Sequence, residues 1–164
     1  RDAQEAVDFY TGLLDLDFTT ALAENYVPST GEWSPHIHIF FQMKDGSSIA
    51  FFELPEDKPM QLDPNTPDWV QHLALRVDTM DELLAYKARL QAAGVKVIGP
   101  TDHTICQSIY FFDPSGHRLE LAVDTSERVS ASEQKQRADA LLKEWNRTKK
   151  APDLDPLHAH LHTS

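Results

Sequence analysis

The chain has 164 residues, a single cysteine and a formal net charge of −11. That length suits one domain with a sizeable core. The absence of a long apolar run argues against a membrane span, and the acidic balance argues against nucleic acid or an anionic lipid surface as partner. A small molecule is the expected ligand. Nothing in the opening residues reads as a secretory signal, and a lone Cys106, unable to form an internal disulfide, suits a reducing cytoplasm.

From Asp2 to Leu14, Ala6, Val7, Tyr10, Leu13 and Leu14 recur at helical spacing, which predicts an amphipathic helix. A weaker strand follows around Asp17 to Ala23, then a loop with Pro28, Ser29, Gly31 and Pro35. His36 to Met43 alternates, with Ile37, Ile39 and Phe41 on one face and His36, His38 and Phe40 on the other. Lys44-Asp-Gly46 is a hairpin turn signal, and Ser48 to Leu54 is the returning strand. Its alternation sets Ile49, Phe51 and Glu53 against Ala50, Phe52 and Leu54. The acidic, proline-rich stretch 55–69 reads as a linker.

The second half repeats the plan. Val70 to Val77 is a strand with His72, Ala74 and Arg76 opposite Leu73, Leu75 and Val77. Thr79-Met-Asp-Glu82 is a capping box that opens a helix, and Gly94 suits its end. Val95 to Ile98 reads as a short strand, and Gly99-Pro100 as a break. A hairpin follows, its turn formed by Asp113-Pro-Ser-Gly116, with proline pre-setting φ and glycine taking the strained position. Residues 70–124 thus spell strand, helix and three strands, whereas 1–54 spell helix and three strands. Asp2 corresponds to Asp78, and His72 precedes Asp78 by six residues. The repeat therefore predicts a further strand ahead of Arg1, carrying a histidine about six residues before Asp2. Ser130-Ala-Ser-Glu133 caps a last helix within 125–148, whose face of Ala138, Leu141, Leu142 and Trp145 is expected to pack on the domain or on a second subunit. The tail 149–164 ends with alternating His158, His160 and His162, expected to be solvated.

Leu119, Leu121 and Val123 point one way along the closing strand, and Arg118, Glu120 and Ala122 the other. A carboxylate in the middle of an apolar strand is costly without a positive partner. A metal ion, a buried arginine and a solvated sheet face all remain open for Glu120 taken by itself. The wider pattern favours metal. Helices need the apolar sheet face, so His36, His38, Glu53, His72, Tyr110 and Glu120 are expected on the opposite, concave face. Carboxylates gathered there repel one another unless a cation sits between them.

Asp8-Phe-Tyr10, Gln71-His72-Leu73, the paired modules and Asp113-Pro-Ser-Gly-His-Arg-Leu-Glu120 resemble the vicinal oxygen chelate superfamily, which includes glyoxalase I, bleomycin and fosfomycin resistance proteins and extradiol ring-cleaving dioxygenases. The resemblance covers about residues 1–124. It implies an α+β fold of paired βαβββ modules, forming a curved mixed sheet around a central metal cavity. It also implies metal ligands at Glu53, His72 and Glu120, joined by a histidine on the strand ahead of Arg1. The stretch Thr101-x-His103, Ile109-Tyr110, Asp113-Pro114-x-Gly116 and Glu120 is similar to the extradiol signature. That similarity implies Fe(II), Tyr110 bonded to a substrate oxygen, and His103 shaping the pocket. Ser47 stands close to where such enzymes carry an acid–base histidine, so His38 is the implied substitute. The competing glyoxalase I type implies Zn, Ni or Mn held by two Glu and two His and acting as a Lewis acid. A metal-free, drug-binding resistance protein is the third class. The leading expectation is an extradiol-type dioxygenase, acting as a homodimer on a small oxygen-bearing organic molecule.

Overall fold

The computed structural model describes residues 2–150, apart from 59, 60, 62, 104 and 127–129. The histidine-containing end of the tail lies outside the described residues. Chain order is α1 (Ala3–Gly12), β1 (Asp17–Tyr26), β2 (Trp33–Gln42), β3 (Ser48–Glu53), β4 (Leu73–Val77), α2 (Met80–Ala92), β5 (Ile98–Asp102), β6 (Cys106–Phe112), β7 (Arg118–Asp124) and α3 (Ala131–Thr148). The repeated plan is therefore present: a helix and three strands, then a strand, a helix and three strands. No helix of the described residues is long and apolar enough to cross a membrane.

The strands form two hydrogen-bonded sheets, one in the order β1-β2-β3 and one in the order β4-β7-β6-β5. All neighbours are antiparallel except β4, which lies parallel to β7. By position β3 corresponds to β7, yet among the described residues no strand occupies the outer edge of β3 as β4 does that of β7. Strand β5 differs from its expected place. It begins at Ile98 and runs through Gly99-Pro100, with a register shift against β6 between Ile98 and Thr101. An edge strand tolerates a proline because the missing N–H faces no partner. Gly99 has φ +104°, and a Cβ there would run into the Ser108 carbonyl oxygen.

Local chemistry starts the helices. Asp2 Oδ1 accepts the Glu5 N–H at 3.0 Å, and Thr79 Oγ1 accepts the Glu82 N–H at 3.1 Å. Ser130 and Glu133 form the full capping box of α3. Helix α1 buries Ala6, Phe9 and Tyr10; α2 buries Leu83, Tyr86 and Leu90. They pack on one apolar face of each sheet, supplied by Ile39 and Phe41 in the first and by Val77, Ile109, Phe111, Leu119, Leu121 and Val123 in the second. By contrast, Leu142 and Trp145 of α3 are exposed, so among the described residues the expected packing of that helix face is not made.

Helix α1 also reaches across to the second module. Phe9 lies 6.3 Å from Phe111, centroid to centroid. The Tyr10 hydroxyl donates to Asp113 Oδ2 at 2.8 Å, and both residues are buried. Asp113 Oδ1 accepts the His117 N–H at 2.8 Å, closing the β6–β7 turn in which Gly116 takes φ +92°. Burial, reinforced by the Asp113 carboxylate, pushes the Tyr10 phenol far above its usual range. Tyr10→Phe should lower the unfolding free energy by about 1–3 kcal/mol, since it leaves a buried carboxylate oxygen without its donor. Urea unfolding would measure this. The sign with pH follows from linkage. Folded Tyr10 keeps a proton that the unfolded chain releases near pH 10, so its contribution is complete below about pH 10 and falls as pH rises further. The same measurement repeated at alkaline pH should show a smaller alkaline loss in the variant.

Candidate functional site

Glu120 is the centre of the polar face of the second sheet. Strand β7 sends Leu119, Leu121 and Val123 into the core beneath α2, and the period of two turns Glu120 the other way. Although it faces away from the core, Glu120 is only 7% exposed, because β4 and β6 flank it. In register, Tyr110 of β6 is its direct cross-strand partner and Ala74 of β4 its partner on the other side. His72 stands one residue before β4.

These positions bring four side chains into one chain of contacts. His72 Nε2 lies 2.8 Å from Glu120 Oε2. The Tyr110 hydroxyl donates to Glu120 Oε1 at 3.2 Å. His103 Nε2 lies 2.7 Å from the Tyr110 oxygen; with the phenol proton directed to Glu120, the imidazole N–H is the donor there. His103 itself is exposed at the outer end. Burial first, and then the Glu120 charge, push the Tyr110 phenol up, so it stays a neutral donor.

The His72 ring is oriented by its other nitrogen, Nδ1, which donates to the Val70 carbonyl at 3.1 Å. An imidazole held in this way by a carbonyl presents its Nε2 lone pair, the arrangement typical of a metal-bound histidine. Nε2 and Oε2 then face each other with lone pairs only, so a proton or a metal cation must lie against them. Two ligand atoms about 2.1 Å from one cation are about 3 Å apart at the right angles of an octahedral site and about 3.4 Å apart in a tetrahedral one; the observed 2.8 Å is near the first and is also the length of a direct hydrogen bond. His72 and Glu120 therefore fit as two neighbouring ligands. Among the described residues no third His, Cys, Asp or Glu joins them.

The other expected site residues lie elsewhere. In the β2–β3 register Glu53 pairs with Ile37, and its Oε2 accepts the Ala3 N–H at 2.6 Å. It therefore stands on the helix side of the first sheet, serving the N-terminus of α1, not on the concave face. There a carboxylate is favoured by the unpaired N–H groups and the helix dipole. His38 does lie on the face away from the helices, but its ring stacks on Phe52 at 3.8 Å and packs against Phe40 at 4.1 Å. His36 Nδ1 donates to the Ser34 carbonyl at 2.7 Å, and its Nε2 lies 3.7 Å from Glu24. The first sheet thus holds Glu53, His36 and His38, and the second holds the connected set.

Sequence reasoning gave no role to Arg118, although alternation put it on the same face as Glu120. Its guanidinium carbon lies 4.9 Å from the centre of the Tyr110 ring. A separate cavity of about 460 Å³ between the modules is lined by Leu14, Lys44, Leu75, Arg76 and Glu82. Lys44 and Glu82 already satisfy each other there at 2.7 Å, and none of the four connected residues lines it.

The sequence matches the family model described as the Glyoxalase/Bleomycin resistance protein/Dioxygenase superfamily over residues 1–121. It is 32% identical over 90 residues to biphenyl-2,3-diol 1,2-dioxygenase 2 of Rhodococcus globerulus, covering 49% of this chain and 47% of that protein. The chain thus spans about half the length of this curated relative. Among solved structures it is similar to a glyoxylase/bleomycin resistance protein/dioxygenase domain from Frankia sp. EAN1pec, with 20% identity and a TM-score of 0.61, covering 76% of this chain and 90% of that one. It is also similar to the fosfomycin resistance protein FosX from Listeria monocytogenes, in a form complexed with Mn(II) and sulfate, with 20% identity and a TM-score of 0.53, covering 82% of this chain and 89% of that one. At these identities the structural likeness is one of fold. The family match extends from the first helix to the middle of β7 and includes both halves of the repeat, so the chain belongs to the Glyoxalase/Bleomycin resistance protein/Dioxygenase superfamily.

Proposed function

We propose that this chain is a divalent-metal-dependent enzyme acting on a small oxygen-bearing organic molecule, and specifically an extradiol-type, ring-cleaving dioxygenase. The observation that carries the reading is the unbroken series His103–Tyr110–Glu120–His72 on one sheet face. The sequence similarity to a biphenyl-2,3-diol dioxygenase over 90 residues supports the same class.

His72 Nε2 and Glu120 Oε2 would hold the metal. Bound there as Fe(II), the metal would supply Lewis acidity toward a diol and electrons toward dioxygen. The remaining work falls to the chain's own groups. Tyr110, kept as a phenol by its surroundings, would turn its one O–H from Glu120 to a substrate oxygen placed beside that carboxylate. His103 fixes the phenol's direction and connects it to solvent, so a proton can pass between the substrate oxygen and water through Tyr110. That role compensates for the serine at position 47, because His38 is held between two phenylalanine rings on the other sheet.

The glyoxalase I reading requires Glu53 as a ligand. Its bond to the α1 N-terminus, on the helix side of the first sheet, weighs against that set. A metal-free drug-binding role would need only a proton between His72 and Glu120, and it would give the Tyr110–His103 pair no chemical task.

Two outcomes are expected. Glu120→Gln and His72→Ala should each weaken metal binding by about 10- to 100-fold in equilibrium dialysis, the scale of disturbed ligation; full occupancy in both would contradict the metal site. The Fe(II)-loaded protein should consume oxygen with catechols, and Tyr110→Phe should slow this about 100-fold. Absence of oxygen uptake across a catechol panel, together with Zn- or Ni-dependent turnover of a 2-oxoaldehyde thiol adduct, would transfer the site to the isomerase class.

A further inference from the structure

Arg118 shares the face of Tyr110 and Glu120, and the proposed reaction leaves its charge unused. It is half-buried, directly opposite Phe112 in the β6–β7 register, and two residues before Glu120 on the same face of β7. Its guanidinium carbon lies 4.9 Å from the Tyr110 ring centre and 5.9 Å from that of Phe112. Its Nε is buried and has no hydrogen-bond partner among the described residues. The contrast with other arginines is clear. Arg89 has Asp15 at 2.6 Å, Arg147 has Glu144 at 2.5 Å, and Arg76 has Asp78 at 3.9 Å. No carboxylate of the described residues forms an ion pair with Arg118.

A chain with a net charge of −11 offers many carboxylates, so a cation left without one calls for a physical reason. Stacking on two rings is favourable, but only by about 0.5–2 kcal/mol. A buried donor with no acceptor costs about 1–3 kcal/mol, and more when the group is charged. Such a group in a native protein calls for an explanation, whether strain, a functional role, or an unseen water or ion. The planar guanidinium fork matches a carboxylate, to which it can give two parallel hydrogen bonds.

Position supplies the rest. Residues two apart on a strand are separated by about 7 Å along it, roughly the reach of one substituted aromatic ring. A diol with its oxygens beside Glu120, His72 and Tyr110 would extend a ring substituent toward Arg118. Resting on the diol-site reading above, we infer that Arg118 selects substrates whose ring carries a carboxylate on the side away from the hydroxyls.

The test compares 3,4-dihydroxybenzoate with its methyl ester, which keeps the diol and ring and loses only the negative charge. Calorimetric titration would be carried out without oxygen on the Zn(II)-loaded chain, so that neither ligand is consumed. The acid is expected to bind about 10- to 100-fold more tightly than the ester, as suits a charged hydrogen-bonded pair. Arg118→Met should abolish this preference by weakening the acid more than the ester, and Arg118→Lys should keep part of it. Equal binding of acid and ester by the unaltered chain would overturn the role of Arg118 and leave the diol site standing. Binding of neither would remove the diol site, and this inference with it. Equal weakening of both ligands in Arg118→Met, with a lowered melting temperature, would make Arg118 a packing residue and would also overturn the inference.

Discussion

The buried hydrogen bond from Tyr10 to Asp113 is the contact on which the arrangement depends. It joins the first helix to the last hairpin, 103 positions apart in the chain. Asp113 uses its other oxygen to close the β6–β7 turn through the His117 N–H. That turn decides which residues of β6 and β7 face each other, and so places Tyr110 opposite Glu120. A slip by one residue would turn every side chain of a strand to the other face. The site therefore depends on a polar bond buried on the far, helix-packed side of the sheet. Aromatic packing supports it, with Tyr10 at 5.2 Å from Phe41 and 4.9 Å from Phe51.

The two faces of the second sheet divide the work. One is a conventional core of Ile109, Phe111, Leu119, Leu121 and Val123 under α2. The other carries Glu120, Tyr110 and Arg118 in consecutive cross-strand positions. Such a face is expensive to keep inside a protein unless each charge has a partner. His72 answers Glu120 directly, and His103 is added at the exposed end. Arg118 has two rings but no anion, and this inequality is what points to a ligand. The proposed metal site and the inferred acid-binding group are thus two consequences of one polar stripe on an otherwise ordinary sheet.

Much of this was legible in the sequence because strand periodicity is simple. The alternation around Leu119, Leu121 and Val123 placed Glu120 on the non-core face, and the turn residues 113–116 marked the hairpin. The sequence motifs, with their family resemblance, drew His72, His103 and Tyr110 into the same group. Glu53 was misplaced for an instructive reason. Its own alternation put it with Ile49 and Phe51, on the helix face, but its charge suggested the polar one. The structure follows the alternation, because the α1 N-terminus gives a carboxylate a partner on that side. Strand β5 was misread because Gly99-Pro100 looks like a break, whereas an edge strand with a register shift accommodates both. The separation into two sheets, and hence the distance of His38 from the connected set, depends on long-range pairing that local pattern does not specify. Arg118 looked like an ordinary polar residue, since an unpaired Nε is visible only in three dimensions.

The central claim is that His72 and Glu120 are neighbouring ligands of one cation. Anomalous diffraction from crystals grown with Zn(II), collected on both sides of the zinc edge, tests it most directly. The account predicts a single strong peak about 2.0–2.2 Å from both His72 Nε2 and a Glu120 carboxylate oxygen, with the Val70 carbonyl still accepting from His72 Nδ1. A zinc peak at Glu53, His36 or His38, with His72 and Glu120 still in direct contact, would contradict it.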